Sequence, residues 1–152
     1  MKPNPIPDNY NTITAYLTVH DCTAAIQYYV DLFAAQEGVR FDMPGGKIGH
    51  AELHLGDSKI MLSDEYPEMG VKSPKHYGGS PVSLSIYVED VDATFQKAIQ
   101  TGSKSIKEVE KQFHGDRSGQ IEDPFGYKWT IASRVEEVSE EEMQKRAKEL
   151  FG

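Results

Sequence analysis

DPFGYKWTIAS, residues 123–133, reads as a tight turn delivering a strand. Pro124 presets φ for the turn and Gly126 relieves its exit. From Tyr127 the residues alternate, with Tyr127, Trp129 and Ile131 on one face and Lys128, Thr130 and Ala132 on the other. One apolar face opposed by a plain one, with threonine at its centre, predicts a strand in a sheet covered on one side only.

That strand has a counterpart. KIMLS from Lys59 lies over KWTIA from Lys128, and ITAYLTVHDCTAAIQYY from Ile13 lies over VSLSIYVEDVDATFQKA from Val82. Both pairs keep one offset of 69 positions (13 to 82, 59 to 128), which makes the chain two copies of one unit. Each copy opens with an alternating strand. Ile13, Ala15, Leu17 and Val19 form one apolar face; Val82, Leu84, Ile86 and Val88 form the other. A helix follows each strand. Asp21 or Thr23 caps the first, whose stripe is Ile26, Tyr29, Val30 and Phe33. Asp90 or Asp92 caps the second, with Val91, Phe95, Ala98 and Ile99 as its stripe and Gly102 as its stop.

Three further strands complete the first unit, near 38–43, 47–55 and 59–63, with Pro44-Gly45-Gly46 and Gly56-Asp57 as turns. The expected organisation is one α+β domain over residues 1–152. A first βαβββ unit spans 10–63, a Pro- and Gly-rich linker 64–80, a second unit 81–133, and a C-terminal helix 134–152. Ser139 with Glu142 forms a capping-box signature for that helix, and Met143, Ala147, Leu150 and Phe151 give it an apolar stripe to cover.

Bulk composition narrows the function. The chain has 152 residues, 26% charged and 38% apolar, with a net charge of -8. Its pI near 5.1 opposes phosphate, so no nucleic acid and no anionic membrane is expected as partner, while a cationic ligand is permitted. No stretch has the apolar length of a membrane span, and MKPNPIPDNYN lacks a signal core. A single cysteine, Cys22, excludes an intramolecular disulfide. The expected location is the cytoplasm.

Two βαβββ units ending in a DPFGYKW-type turn and strand resemble the vicinal oxygen chelate superfamily, which includes glyoxalase I, bleomycin-resistance proteins and extradiol dioxygenases. The resemblance runs from about Tyr10 to Ser133. HAELHLGDSKIMLSDE, DPFGYKWTIAS and VEEVSEEEMQKRA look most like its PhnB-like branch. Some members of that branch carry a demethylubiquinone methyltransferase label; this sequence has no glycine-rich βα turn of the dinucleotide type. The resemblance implies a partly open, eight-stranded barrel-like sheet around a cleft, helices outside, and commonly a homodimer.

Metal-dependent relatives place His or Glu ligands on the first and last strands of each unit. Carried across, those positions are Thr14, Met61, Ser83 and Thr130. Three hydroxyls and a thioether do not replace His and Glu around a divalent ion, so no cofactor is expected there. His50, Glu52 and His54 alternate along one strand. They form either a hydrated polar wall or a dimer contact, or a displaced site for a divalent metal, with Glu52 or His54 as a general base. Tyr16, Tyr87 and Met61 face the same cleft and suit a flat organic ligand or a packed interior. His114 with Asp116 and Arg117 forms either a ligand lip or a local turn contact. His20 and His76 read as solvated, and Cys22 as a structural thiol.

Three functional readings follow. The first is a glyoxalase/bleomycin-resistance-fold protein that holds a small organic molecule in its cleft without the usual metal. The second is a lyase, isomerase or dioxygenase using the displaced His/Glu site. A third, structural module has its cleft filled by its own side chains.

Overall fold

The computed structural model describes residues 1–152. The chain divides into two compact units, Met1–Gly78 and Gly79–Gly152. The first carries β1 (Ala15–Val19), α1 (Cys22–Phe33), β2 (Gln36–Asp42), β3 (Ile48–Leu55) and β4 (Ser58–Asp64), then a short helix, α2 (Pro74–Tyr77), in the linker. The second carries β5 (Ser83–Tyr87), α3 (Val91–Gln100), β6 (Lys104–Lys111), β7 (Asp116–Glu122), β8 (Lys128–Arg134) and α4 (Glu140–Phe151). The order is βαβββ in each.

Each unit has one four-stranded mixed sheet, ordered β1-β4-β3-β2 and β5-β8-β7-β6. The first and last strands of a unit run parallel, and the other neighbours antiparallel. A parallel pair needs a crossover, and the helix supplies it. Asp21 and Asp90 cap the two helices, accepting from Ala24 N–H at 3.0 Å and Ala93 N–H at 2.9 Å. Both residues stand at the 69-position offset.

The helices cover one face of each sheet. Ala25, Ile26, Tyr29 and Leu32 of α1 are buried with Leu17, Leu53 and Leu62; Val91, Phe95 and Ala98 of α3 are buried, as are Ile121, Trp129 and Ile131 of the sheet. Each such large side chain contributes roughly 2 kcal/mol by leaving water. The expected stripe on α1 is rotated: Val30 and Phe33 are only half-buried, while Leu32 is inside. Ile13 departs too, since β1 begins at Ala15 and Ile13 stays exposed.

Asp123 explains the turn that precedes β8. Its buried carboxylate accepts from Phe125 N–H at 2.9 Å, Tyr127 N–H at 3.0 Å and Trp129 Nε1–H at 2.9 Å. The turn therefore fixes the face on which Trp129 enters the core. At α4 only half of the capping box forms. Ser139 Oγ accepts from Glu142 N–H at 3.2 Å, but the Glu142 carboxylate turns to Arg146 at 2.9 Å. The apolar end of α4 stays largely uncovered, with Phe151 edge-on to Phe113 at 5.9 Å.

Candidate functional site

The uncovered face of the first sheet collects most of the chemistry. Register pairs Tyr16 of β1 with Met61 of β4, and Met61 with Glu52 of β3, so the three form a row across the sheet. Thr14 lies just before β1, two positions from that row. Next to the row, the Tyr16 hydroxyl is 2.8 Å from His50 Nδ1, and the His50 ring lies 6.1 Å from that of Phe41. Partial burial raises the Tyr16 phenol above its ordinary value, so it keeps its proton at neutral pH, and the His50 tautomer sets which of the two donates. Tyr16 and Phe41 are both about half exposed or more, at 48% and 60%.

Glu52 is the unusual member. It is 4% exposed although it lies on the face opposite the helix. Tyr10 covers it, donating its phenol to Oε1 at 2.6 Å. Lys59 Nζ stands 3.4 Å from Oε2 and 3.6 Å from the centre of the Tyr10 ring. His50 Nε2 lies 3.6 Å from Oε1. Burial alone pushes the Glu52 carboxyl up, but the Tyr10 hydrogen bond, Lys59 and His50 together outweigh it and hold the group below the usual range. His54 does not join them: it is exposed beside Gly38, where an added Cβ would come within 3.0 Å of its ring. The three residues of the displaced-site reading thus separate into a His50–Glu52 pair and an outlying His54. Nowhere do three or more His, Cys, Asp or Glu side chains gather in a group suited to a metal ion.

In the second sheet, register sets Ser85, not Ser83, beside Thr130; Ser83 pairs with Lys128. Gln120 Nε2 donates to Thr130 Oγ1 at 3.3 Å. With His114 and Ser118 they line a shallow groove of about 210 Å³. Tyr87 is exposed, but its hydroxyl donates to the buried Asp116 at 2.7 Å. Arg134 also binds Asp116, and His114 Nδ1 is 3.6 Å away.

The expected Asp116–Arg117 turn contact does not form. The two alternate along β7, and Arg117 instead grips Asp92 of α3 with two bonds of 2.8 and 2.7 Å. His76 is not simply solvated but pairs with Glu65 at 3.1 Å, and His20 is half-buried. Burial, with Asp64 beside it, pushes the Cys22 thiol up to about 12, which suits a structural role.

The positions that the resemblance assigns to metal ligands carry none of the usual donors for a divalent ion. Thr14 and Met61 in the first unit, and Ser83 and Thr130 in the second, offer neutral hydroxyls and a soft thioether to an ion that calls for imidazole or carboxylate. Tyr10, Lys59, Phe41, Ser85 and Gln120 also line the candidate faces, and sequence reasoning passed them over. Only Ser85 had a signal, as the residue 69 positions after Tyr16.

A family model described as the Glyoxalase/Bleomycin resistance protein/Dioxygenase superfamily matches residues 10–131. An uncharacterized protein of Mycobacterium bovis is 41% identical over 135 residues, spanning 87% of this chain and 89% of its own. Among solved structures, a gene product of Arabidopsis thaliana is 24% identical, with a TM-score of 0.64 over 81% of this chain and 98% of that one. A PhnB protein of Bacillus cereus is 18% identical, again with a TM-score of 0.64, over 81% and 99% of the two chains. These two likenesses are of fold.

Proposed function

The chain belongs to the Glyoxalase/Bleomycin resistance protein/Dioxygenase superfamily, and from that premise we propose that it binds a small, flat organic molecule on the uncovered face of its first sheet, with no resident metal. The observation that carries this reading is the row Tyr16–Met61–Glu52, flanked by His50 and Phe41. Two exposed rings and an adaptable thioether offer dispersion contact, while His50, held by Glu52, fixes orientation. Ser83, Ser85, Tyr87, Gln120 and Thr130 give the second unit a plainer polar face, with Lys107, Glu108 and Glu110 along its groove. The protein acts as a cytoplasmic homodimer in this reading. Exposed Ile13, Phe41, Tyr77, Val82, Leu150 and Phe151 supply apolar surface for a second copy.

Two measurements test it. Elemental analysis of protein purified without chelators or a histidine tag, then incubated with zinc, nickel, manganese and ferrous iron, should find no near-stoichiometric metal. Retained metal that disappears in His50→Ala/His54→Ala would overturn the metal-free reading in favour of a metal-dependent lyase, isomerase or dioxygenase. A thermal-shift screen of aromatic and aliphatic compounds should then yield aromatic hits. A ligand at 100 times its Kd adds about 2.7 kcal/mol of stability. That shift should vanish in Tyr16→Ala and Phe41→Ala.

A further inference from the structure

We infer that Glu52 and Lys59 form a seat for a neutral phenolic ring, and that the chain's own Tyr10 is its tethered occupant. This rests on reading the uncovered face as a ligand site and names the ligand class that one end of it takes.

The two sides of the contact are built differently. Glu52 sits mid-strand in β3, with its neighbours Ala51 and Leu53 in register with Leu62 and Ile60 of β4. Lys59 lies on β4 and is itself largely covered, at 13% exposed. Both anchors are therefore carried on paired strands, whose backbone is held by the ladder whether or not a ring is present. Tyr10 comes from residues 1–14, which form no helix or strand, and of which only Tyr10 and Thr14 are partly buried. A ring delivered by such a segment is exchangeable in a way that a strand side chain is not, because releasing it returns conformational entropy to the segment.

The chemistry of the seat selects its guest. Glu52 Oε1 accepts an O–H at 2.6 Å, and the Lys59 ammonium stands 3.6 Å above the ring centre, well inside cation–π range. A cationic guest would meet Lys59, and an anionic guest would meet Glu52. A neutral ring bearing one hydroxyl donor satisfies both. An aromatic hydrocarbon satisfies only Lys59, and leaves a buried carboxylate short of a partner.

The test uses p-cresol, which is the tyrosine side chain cut free, and toluene, which lacks only the hydroxyl. Affinities are read by isothermal calorimetry and by ligand-observed NMR on the full chain, with circular dichroism and melting curves confirming folded protein. Wild-type protein should bind p-cresol weakly, because Tyr10 competes. Tyr10→Ala should bind it at least tenfold more tightly, with no such gain for toluene. Adding Glu52→Gln or Lys59→Met to Tyr10→Ala should abolish the gain; using both guards against one double variant failing to fold. Equal p-cresol affinity in wild type and Tyr10→Ala would overturn the seat. If an aromatic hit from the screen still bound both proteins and lost its binding in Tyr16→Ala, the seat alone would fail and the face reading would stand. If no compound bound either protein, both would fall.

Discussion

The carboxylate of Asp64 accepts the Cys22 amide at 2.9 Å, so the last strand of the first unit holds the start of its helix. The other oxygen of Asp64 accepts Ile48 N–H at 2.7 Å. In the second unit Ser133 stands 69 positions after Asp64, and its hydroxyl accepts the amide of Val91, itself 69 positions after Cys22, at 3.1 Å. One joint recurs with two chemistries. Asp64 serves two buried amides with a charge, and Ser133 serves one with a neutral hydroxyl that donates onward to Val88 O at 2.6 Å.

Asp64→Ala should therefore cost more than Ser133→Ala. Stranding two buried N–H donors predicts a loss of about 2–5 kcal/mol, against about 1–2 kcal/mol for Ser133→Ala. Asp64→Asn, which keeps one good acceptor, should fall between them. Urea unfolding of the three variants checks the order. Equal losses for Asp64→Ala and Ser133→Ala would refute the two-amide account.

Cys22 should be inert while the protein is folded. Its thiol is buried and pushed up to about 12, so almost no thiolate exists at pH 8. Native protein should resist iodoacetamide or a thiol-reactive dye over hours, then react at once in urea. Rapid labelling of the native state would mean that the α1–β4 joint opens far more often than the buried Cys22–Asp64 hydrogen bond implies.

The features legible in the sequence were those set by local period and by repetition. Asp21 or Thr23, and Asp90 or Asp92, marked both helix starts, of which the structure selects Asp21 and Asp90, and the alternation around Trp129 marked the two faces of the sheet, because strand and helix periods act over a few neighbours. The Tyr10–Glu52 contact spans 42 positions and begins in a stretch with no period at all, so no local pattern could reveal it. No local pattern marks Lys59 either: the ladder pairs it with His54, and its ammonium reaches Glu52 across the diagonal at 3.4 Å. Arg117 misled for the opposite reason. Sequence adjacency to Asp116 suggested a contact, yet neighbours on a strand point to opposite faces.

Acid should unfold the protein through a defined set of carboxylates. Glu52, Glu65, Asp92, Asp116 and Glu136 are all held below their ordinary values. For Asp116, burial raises the value, but Tyr87, Arg134 and His114 outweigh it. For Glu136, hydrogen bonds from Arg146 and Lys111 lower it to about 2. A group lowered in the folded state stabilises above its unfolded value and ceases to do so as pH falls through its folded one. Stability should thus be level near neutrality and fall from the ordinary glutamate value of 4.5 down to about 2. Melting temperature against pH checks this. Asp116→Asn should start lower at pH 7 and show a shallower acid limb; an unchanged limb would remove Asp116 from the set.

Two backbone positions with positive φ should respond in opposite directions to exchange between alanine and glycine. Ala34, at the end of α1, has φ +53°, where an alanine side chain crowds its own carbonyl. Ala34→Gly relieves that strain, and part of the gain is offset by the freer unfolded chain, leaving about 0.5–1 kcal/mol of added stability. Gly115 has φ +100°, and an added Cβ would overlap the carbonyl oxygen of Glu136. Its own carbonyl accepts from Val135 and Glu136 N–H, each at 3.0 Å, so this backbone has no room to retreat. Gly115→Ala should cost about 3 kcal/mol or more and loosen residues 135–138, which lead into α4. Amide hydrogen exchange would localise the damage. Protection lost there but retained in β3 and β4 is the expected pattern, whereas uniform loss in both units would show that the second unit does not absorb the strain on its own.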